Sequence, residues 1–144
     1  MRHIQDFETY LETGTVKKQS KDPQKAKSLF ENSNESYEML HVFIKSVGIS
    51  DKTANHIVKN AYDSIMERIR AKMAQEGYNA CGNGAHEAEV SYMRKIGFRE
   101  TEIDLADSLR YFRNGILYYG KKTDAQFAQK IIILLDQVRT KLPS

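Results

Sequence analysis

The segment Arg113–Gly120 carries side chains that are unusual inside a helix and that suit the binding of an anion. Helical spacing places Arg113 on or beside the apolar stripe that contains Ala106 and Leu109. Burial of an unpaired guanidinium is costly, so Arg113 needs a carboxylate, a set of carbonyl groups or an anionic ligand. The sequence leaves these options open, and a carboxylate partner can lie on the same helix or on another one.

Asn114 and Gly115 follow directly, in the middle of the same predicted helix. Glycine costs about 1 kcal/mol relative to alanine at such a position, and asparagine is also a poor residue there. Gly115 therefore has two possible explanations. It allows another backbone, a subunit or a ligand to approach closely, or it marks a simple helix crossing. Tyr118 and Tyr119 then place two phenols near the helix end, just before the lysines at 121–122.

Apolar residues recur at helical spacing along most of the chain and predict an all-α bundle that positions this segment. Asp22 followed by Pro23 predicts the start of a long helix, and glycines predict several helix ends. The predicted helices cover residues 4–12, 23–47, 50–76, 85–96, 101–119 and a final stretch that opens with a Thr123–Gln126 capping box. Residues 13–22 and 77–84 are predicted to be loops, and no strand is expected.

The expected architecture is therefore an up-and-down helical bundle with four core helices and one or two short helices. The length suits one domain over residues 1–144, with its core at about 20–141. A net charge of +3 is only mildly basic and does not by itself indicate a nucleic-acid partner.

Cysteine usage and hydropathy predict a cytoplasmic protein. The single cysteine, Cys81, excludes an intrachain disulfide and favours a reducing compartment. No apolar run approaches the roughly 18 residues that a membrane span needs. His86 with Glu87 and Glu89 does not match a metal-ligand spacing, so neither a metal nor another cofactor is expected.

Residues Leu109–Lys121 resemble the signature helix of the HEPN family, in which an arginine and usually a polar residue precede a histidine by a few positions. The similarity extends along the chain at about residues 20–140. Segment 22–31 matches the opening helix of the family, 61–78 the helix before its central loop, and 86–98 its short helix with a Gly-Phe turn.

The resemblance implies a bundle that usually dimerises, so that two signature motifs face each other across a cleft. Active family members are metal-independent ribonucleases, while others are partners of minimal nucleotidyltransferases or act as binding modules. Arg113 and Asn114 match the motif, but the histidine position falls at 118–120, which holds Tyr118, Tyr119 and Gly120. A phenol with a pKa of about 10 is a poor general base at neutral pH, although it can contact a phosphate or stack on a base.

The resemblance thus predicts a homodimeric module that binds RNA or a nucleotide through Arg113, Asn114, Tyr118 and Tyr119. It acts without the full catalytic motif, beside a nucleotidyltransferase in a toxin–antitoxin or defence pair. One alternative is a metal-independent endoribonuclease that uses Arg113, with Tyr119 or His86 in place of the motif histidine. The other alternative is a structural interaction protein that has no ligand.

Overall fold

The computed structural model describes residues 4–144, and in that range it shows six helices and one small antiparallel sheet. This confirms the predicted all-α helical bundle. The helices are α1 (Phe7–Glu12), α2 (Pro23–Val47), α3 (Ala54–Glu76), α4 (Ala85–Lys95), α5 (Glu100–Tyr119) and α6 (Ala125–Lys141). The strands are β1 (Val16–Lys18) and β2 (Tyr78–Ala80). None of the described helices is long and apolar enough to cross a membrane.

Local capping signals determine where the long helices begin and end. The Asp22 carboxylate accepts a hydrogen bond from the Lys25 amide at 3.0 Å, directly before Pro23 at the start of α2. This confirms the predicted start. Gly77 follows α3 with φ +85° and Gly120 follows α5 with φ +64°, both in the left-handed region that favours glycine.

Helix α3 is the central element of the bundle, since it packs against α2, α4, α5 and α6. Its inward side chains, among them Ile57, Ile65 and Ile69, are fully buried. The core also takes in Ile4, Phe7, Tyr92, Ile103, Leu109, Ile131 and Leu135. It therefore reaches N-terminal to residue 20, through α1.

The prediction that the chain contains no strand was wrong. Strands β1 and β2 pair in an antiparallel register that sets Val16 opposite Ala80 and Lys17 opposite Asn79. Each strand has only three residues, which is too short for an alternating pattern of apolar and polar residues to be recognised. The small sheet ties the segment after α1 to the end of α3.

The predicted Thr123–Gln126 capping box was also wrong. Asp124 caps α6 instead, because its carboxylate accepts from the Phe127 amide at 2.8 Å. The Thr123 hydroxyl donates to the Asn55 side-chain oxygen at 2.8 Å, and the Asn55 amide donates to the Lys121 carbonyl at 3.1 Å. The connection from α5 to α6 is therefore fastened to the start of α3, which holds the C-terminal end of α5 in place.

Candidate ligand-binding site

Arg113 lies half-buried on the side of α5 that faces α3. Its Nη2 is 3.6 Å from the Asp63 Oδ1, and its guanidinium carbon lies 5.2 Å from the centre of the Tyr62 ring. Asp63 is itself half-exposed, with 51% of its side chain accessible. Of the options that the sequence left open for Arg113, the structure provides a carboxylate from another helix.

Asn114 faces a different direction, into a shallow cavity at the C-terminal end of α5. The cavity has a volume of about 270 Å³, and its lining consists of Tyr111, Asn114, Gly115, Tyr118 and Tyr119. Tyr118 is 72% exposed and Tyr119 is 80% exposed. Within residues 4–144, the Asn114 amide makes no side-chain hydrogen bond. The structure thus brings together three of the four predicted ligand-binding residues, without Arg113.

The small size of Gly115 admits the side chain of Lys121 from the same chain. A Cβ atom at position 115 would lie 2.8 Å from the Lys121 Cδ. The Lys121 amide donates to the Gly115 carbonyl at 3.1 Å, and the Lys121 Nζ donates to the Tyr111 hydroxyl at 2.8 Å. Sequence reasoning missed Tyr111 and Lys121 as parts of this site. The helical spacing of Tyr111 from Gly115 and Tyr118 is the signal that identifies the first of them.

The contact between Lys121 and Tyr111 has a measurable consequence. The hydrogen bond from the Lys121 ammonium lowers the pKa of the Tyr111 phenol, because it stabilises the phenolate. We expect Lys121→Ala to raise the pKa of Tyr111 toward its ordinary value of about 10. Ring-labelled tyrosine and a pH titration by NMR measure this, with Lys122→Ala as the control. An unchanged Tyr111 titration in Lys121→Ala would show that the ammonium does not hold this position in solution.

His86 lies on α4 and belongs to a different group of side chains. Its Nδ1 is 3.1 Å from the Glu89 Oε1 and 3.4 Å from the Arg70 Nη2. Among residues 4–144, no hydrogen bond or ion pair joins His86 to Arg113 or Asn114. Within one chain, the structure therefore does not bring His86 to the motif.

The face between Arg113 and His86 carries charges of both signs. Arg110 lies 2.9 Å from an oxygen of Asp107 and 3.9 Å from one of Glu87. The buried Tyr62 lies in this face, and its burial raises the pKa of its phenol. Because Arg110 and Arg113 each have a carboxylate partner, this face has no excess of positive charge with which to attract an anion.

No group of three or more His, Cys, Asp or Glu side chains within residues 4–144 is arranged to hold a metal ion.

Comparisons of the chain with protein-family models, with curated proteins and with solved structures found no match, so the resemblance to the HEPN family stays a prediction from the residues that carry it.

Proposed function

We propose that this chain is a HEPN-like module that binds RNA or a nucleotide at the C-terminal end of α5, without cleaving it. The observation that carries the proposal is the exposed tyrosine cluster around the Asn114 amide, which makes no side-chain hydrogen bond within residues 4–144. Tyr111 is 58% exposed and Tyr118 is 72% exposed, and both line the same cavity as Asn114. Large exposed aromatic side chains next to a free amide suit a ligand that offers flat rings with polar edges.

Each group has a defined role in this proposal. Tyr118 and Tyr119 stack on bases, and such contacts are worth about 1–3 kcal/mol for each base. The Asn114 amide, which has both donors and an acceptor, reads a base edge. Lys121 and Lys122 follow at the end of the helix and attract phosphate groups.

Arg113 has a smaller role in the proposal than the signature motif implies. Its partner Asp63 is half-exposed and 3.6 Å away, so the pair is weak. The guanidinium keeps further N–H donors for a phosphate, but the Asp63 carboxylate offsets part of its charge, and Arg113 does not line the tyrosine cavity. We therefore expect Arg113 to contribute less to binding than the tyrosines.

In the same proposal the module works as a homodimer and as the partner of a nucleotidyltransferase, as the resemblance implies. Leu117 is 46% exposed beside Tyr118 and Tyr119. An apolar side chain at this end of α5 gives a second copy a surface to cover, next to the proposed ligand site.

The test of binding uses a labelled mixed-sequence RNA in EDTA, and it follows both retention and cleavage. We expect retention of intact RNA that weakens steeply with salt. The double substitution Tyr118→Ala and Tyr119→Ala should lower the affinity about tenfold or more, since stacking contacts are lost. Arg113→Ala should lower it less, and Met39→Ala, an exposed apolar residue on α2, should leave it unchanged.

The other outcomes of this experiment identify the alternatives. Cleavage by the wild type that Arg113→Ala abolishes would replace the proposal with a metal-independent ribonuclease. Substitutions of Tyr119 and His86 would then identify the residue that acts in place of the motif histidine. If the RNA is neither retained nor cleaved, the result favours a structural interaction protein.

A further inference from the structure

A second cavity, with a volume of about 330 Å³, lies among α2, α3, β2 and α4 and receives no residue from α5. It is therefore separate from the tyrosine cluster on which the proposed function rests. Its lining combines apolar side chains with five polar ones. The polar residues are Lys25, Arg70, Asn79, His86 and Glu89.

Glu89 organises the charged part of this cavity. Its side chain is 6% exposed. Its Oε2 accepts a hydrogen bond from the Arg70 Nε at 2.7 Å, and its Oε1 lies 3.1 Å from the His86 Nδ1. A buried carboxylate with a donor on each oxygen orients both partners, since moving either one would leave buried charge uncompensated.

The contacts at Nδ1 determine what the imidazole offers to a ligand. The nearer partner is the Glu89 carboxylate, which only accepts, so the hydrogen of the ring lies on Nδ1 and is donated to Glu89. Arg70 Nη2 also lies 3.4 Å from this nitrogen, but it too is a donor and makes no hydrogen bond with Nδ1 in this tautomer. Nε2 has no hydrogen-bond partner within residues 4–144, and it becomes a second donor when the ring is protonated.

The remaining side chains add donors and positive charge. The Lys25 Nζ donates to the Asn79 Oδ1 at 3.4 Å, which turns the carbonyl of that amide toward the lysine and leaves its NH₂ group available. Lys25 and Arg70 are cations and Glu89 is an anion, so the lining keeps an excess of positive charge even with a neutral His86. This differs from the face around Arg113, where carboxylates compensate the arginines.

We propose that this cavity binds the phosphate group of a small phosphorylated molecule. An ammonium on α2, a guanidinium on α3 and an amide on β2 can donate to several oxygens of one tetrahedral anion, and the imidazole on α4 adds a donor when its ring is protonated. The volume is at the lower end of the range for small-molecule pockets, about 300–1,000 Å³. Leu29 and Met73 in the lining provide apolar contact for the organic part of the molecule.

The test titrates the full chain with inorganic phosphate and with phenyl phosphate at constant ionic strength. NMR follows the His86 ring and the Asn79 side-chain amide. We expect saturable shift changes at both residues and tighter binding of phenyl phosphate. Lys25→Ala should weaken binding about tenfold, and His86→Ala should do the same at a pH where the imidazole is protonated, because each removes a charge-assisted hydrogen bond.

Both substitutions replace exposed side chains, so the variants are expected to fold, and circular dichroism checks this. His41→Ala and Lys45→Ala remove exposed residues of the same types from α2, outside the cavity, and should leave binding unchanged.

Three results would overturn the proposal or a part of it. Linear shift changes that chloride reproduces would overturn the site itself. Binding of inorganic phosphate that equals or exceeds that of phenyl phosphate would overturn the assignment to an organic phosphate. Loss of phenyl phosphate binding in Tyr118→Ala would overturn the conclusion that this cavity is a different site from the one at the end of α5. Retained binding in that variant supports the conclusion, whether or not the variant still binds RNA.

Discussion

Gly77→Ala is expected to lower the free energy of unfolding by about 3 kcal/mol, through two separate effects. The first is conformational, since Gly77 has φ +85°, and residues with a Cβ rarely adopt this backbone conformation. The second is steric, because a Cβ at this position would lie 2.5 Å from the Gln19 carbonyl oxygen. Gln19 cannot easily retreat, since its amide donates to the Gly77 carbonyl at 2.9 Å.

Gly82→Ala is the matched control for this prediction. Gly82 has φ +78°, and among residues 4–144 no heavy atom lies within 4 Å of the position that a Cβ would take there, so only the conformational effect applies. We expect a loss of about 1 kcal/mol for this variant. Urea denaturation of both variants measures the difference. Equal losses would show that the approach of Gln19 contributes nothing and that the backbone at residues 19–21 adapts freely.

Several helix ends were predictable because their signals are local, although the start of α6 was not. Asp22 and Pro23 start α2, and Gly77 and Gly120 end α3 and α5, as the residue types alone indicate. The strands were not predictable in this way. Their pairing joins residues on either side of α2 and α3, and nothing in a three-residue segment indicates a partner so distant in the chain.

The sequence indicated some of the residues that line the tyrosine cavity, but not the direction in which each side chain points. Arg113 and Asn114 are adjacent in sequence, but successive residues of a helix are rotated by about 100°. Arg113 therefore contacts α3, while Asn114 lines the tyrosine cavity. The pairing of Arg70 with Glu89 joins α3 and α4, and it depends on how the helices pack, which no local pattern encodes.

Arg68→Ala is expected to lower the free energy of unfolding by about 3 kcal/mol, because the variant leaves the buried Leu142 carbonyl without its donor and removes a large buried side chain. Arg68 is 2% exposed. Its Nε donates to the Leu142 carbonyl at 2.6 Å, and its Nη1 donates to the Asn34 Oδ1 at 2.8 Å. Burial lowers the pKa of Arg68 to about 10, so the guanidinium remains charged at neutral pH.

Arg139→Ala provides the comparison, since Arg139 donates to the same Asn34 oxygen at 2.8 Å but is less buried. Its guanidinium also lies 3.7 Å from the centre of the Tyr37 ring. We expect a loss of about 1 kcal/mol, typical of one hydrogen bond with a stacking contact. Urea denaturation measures both variants. If Arg68→Ala loses no more than Arg139→Ala, the contact with the Leu142 carbonyl is not what holds the end of α6 against α3, and the packing of buried apolar side chains such as Val138 and Leu142 does so instead.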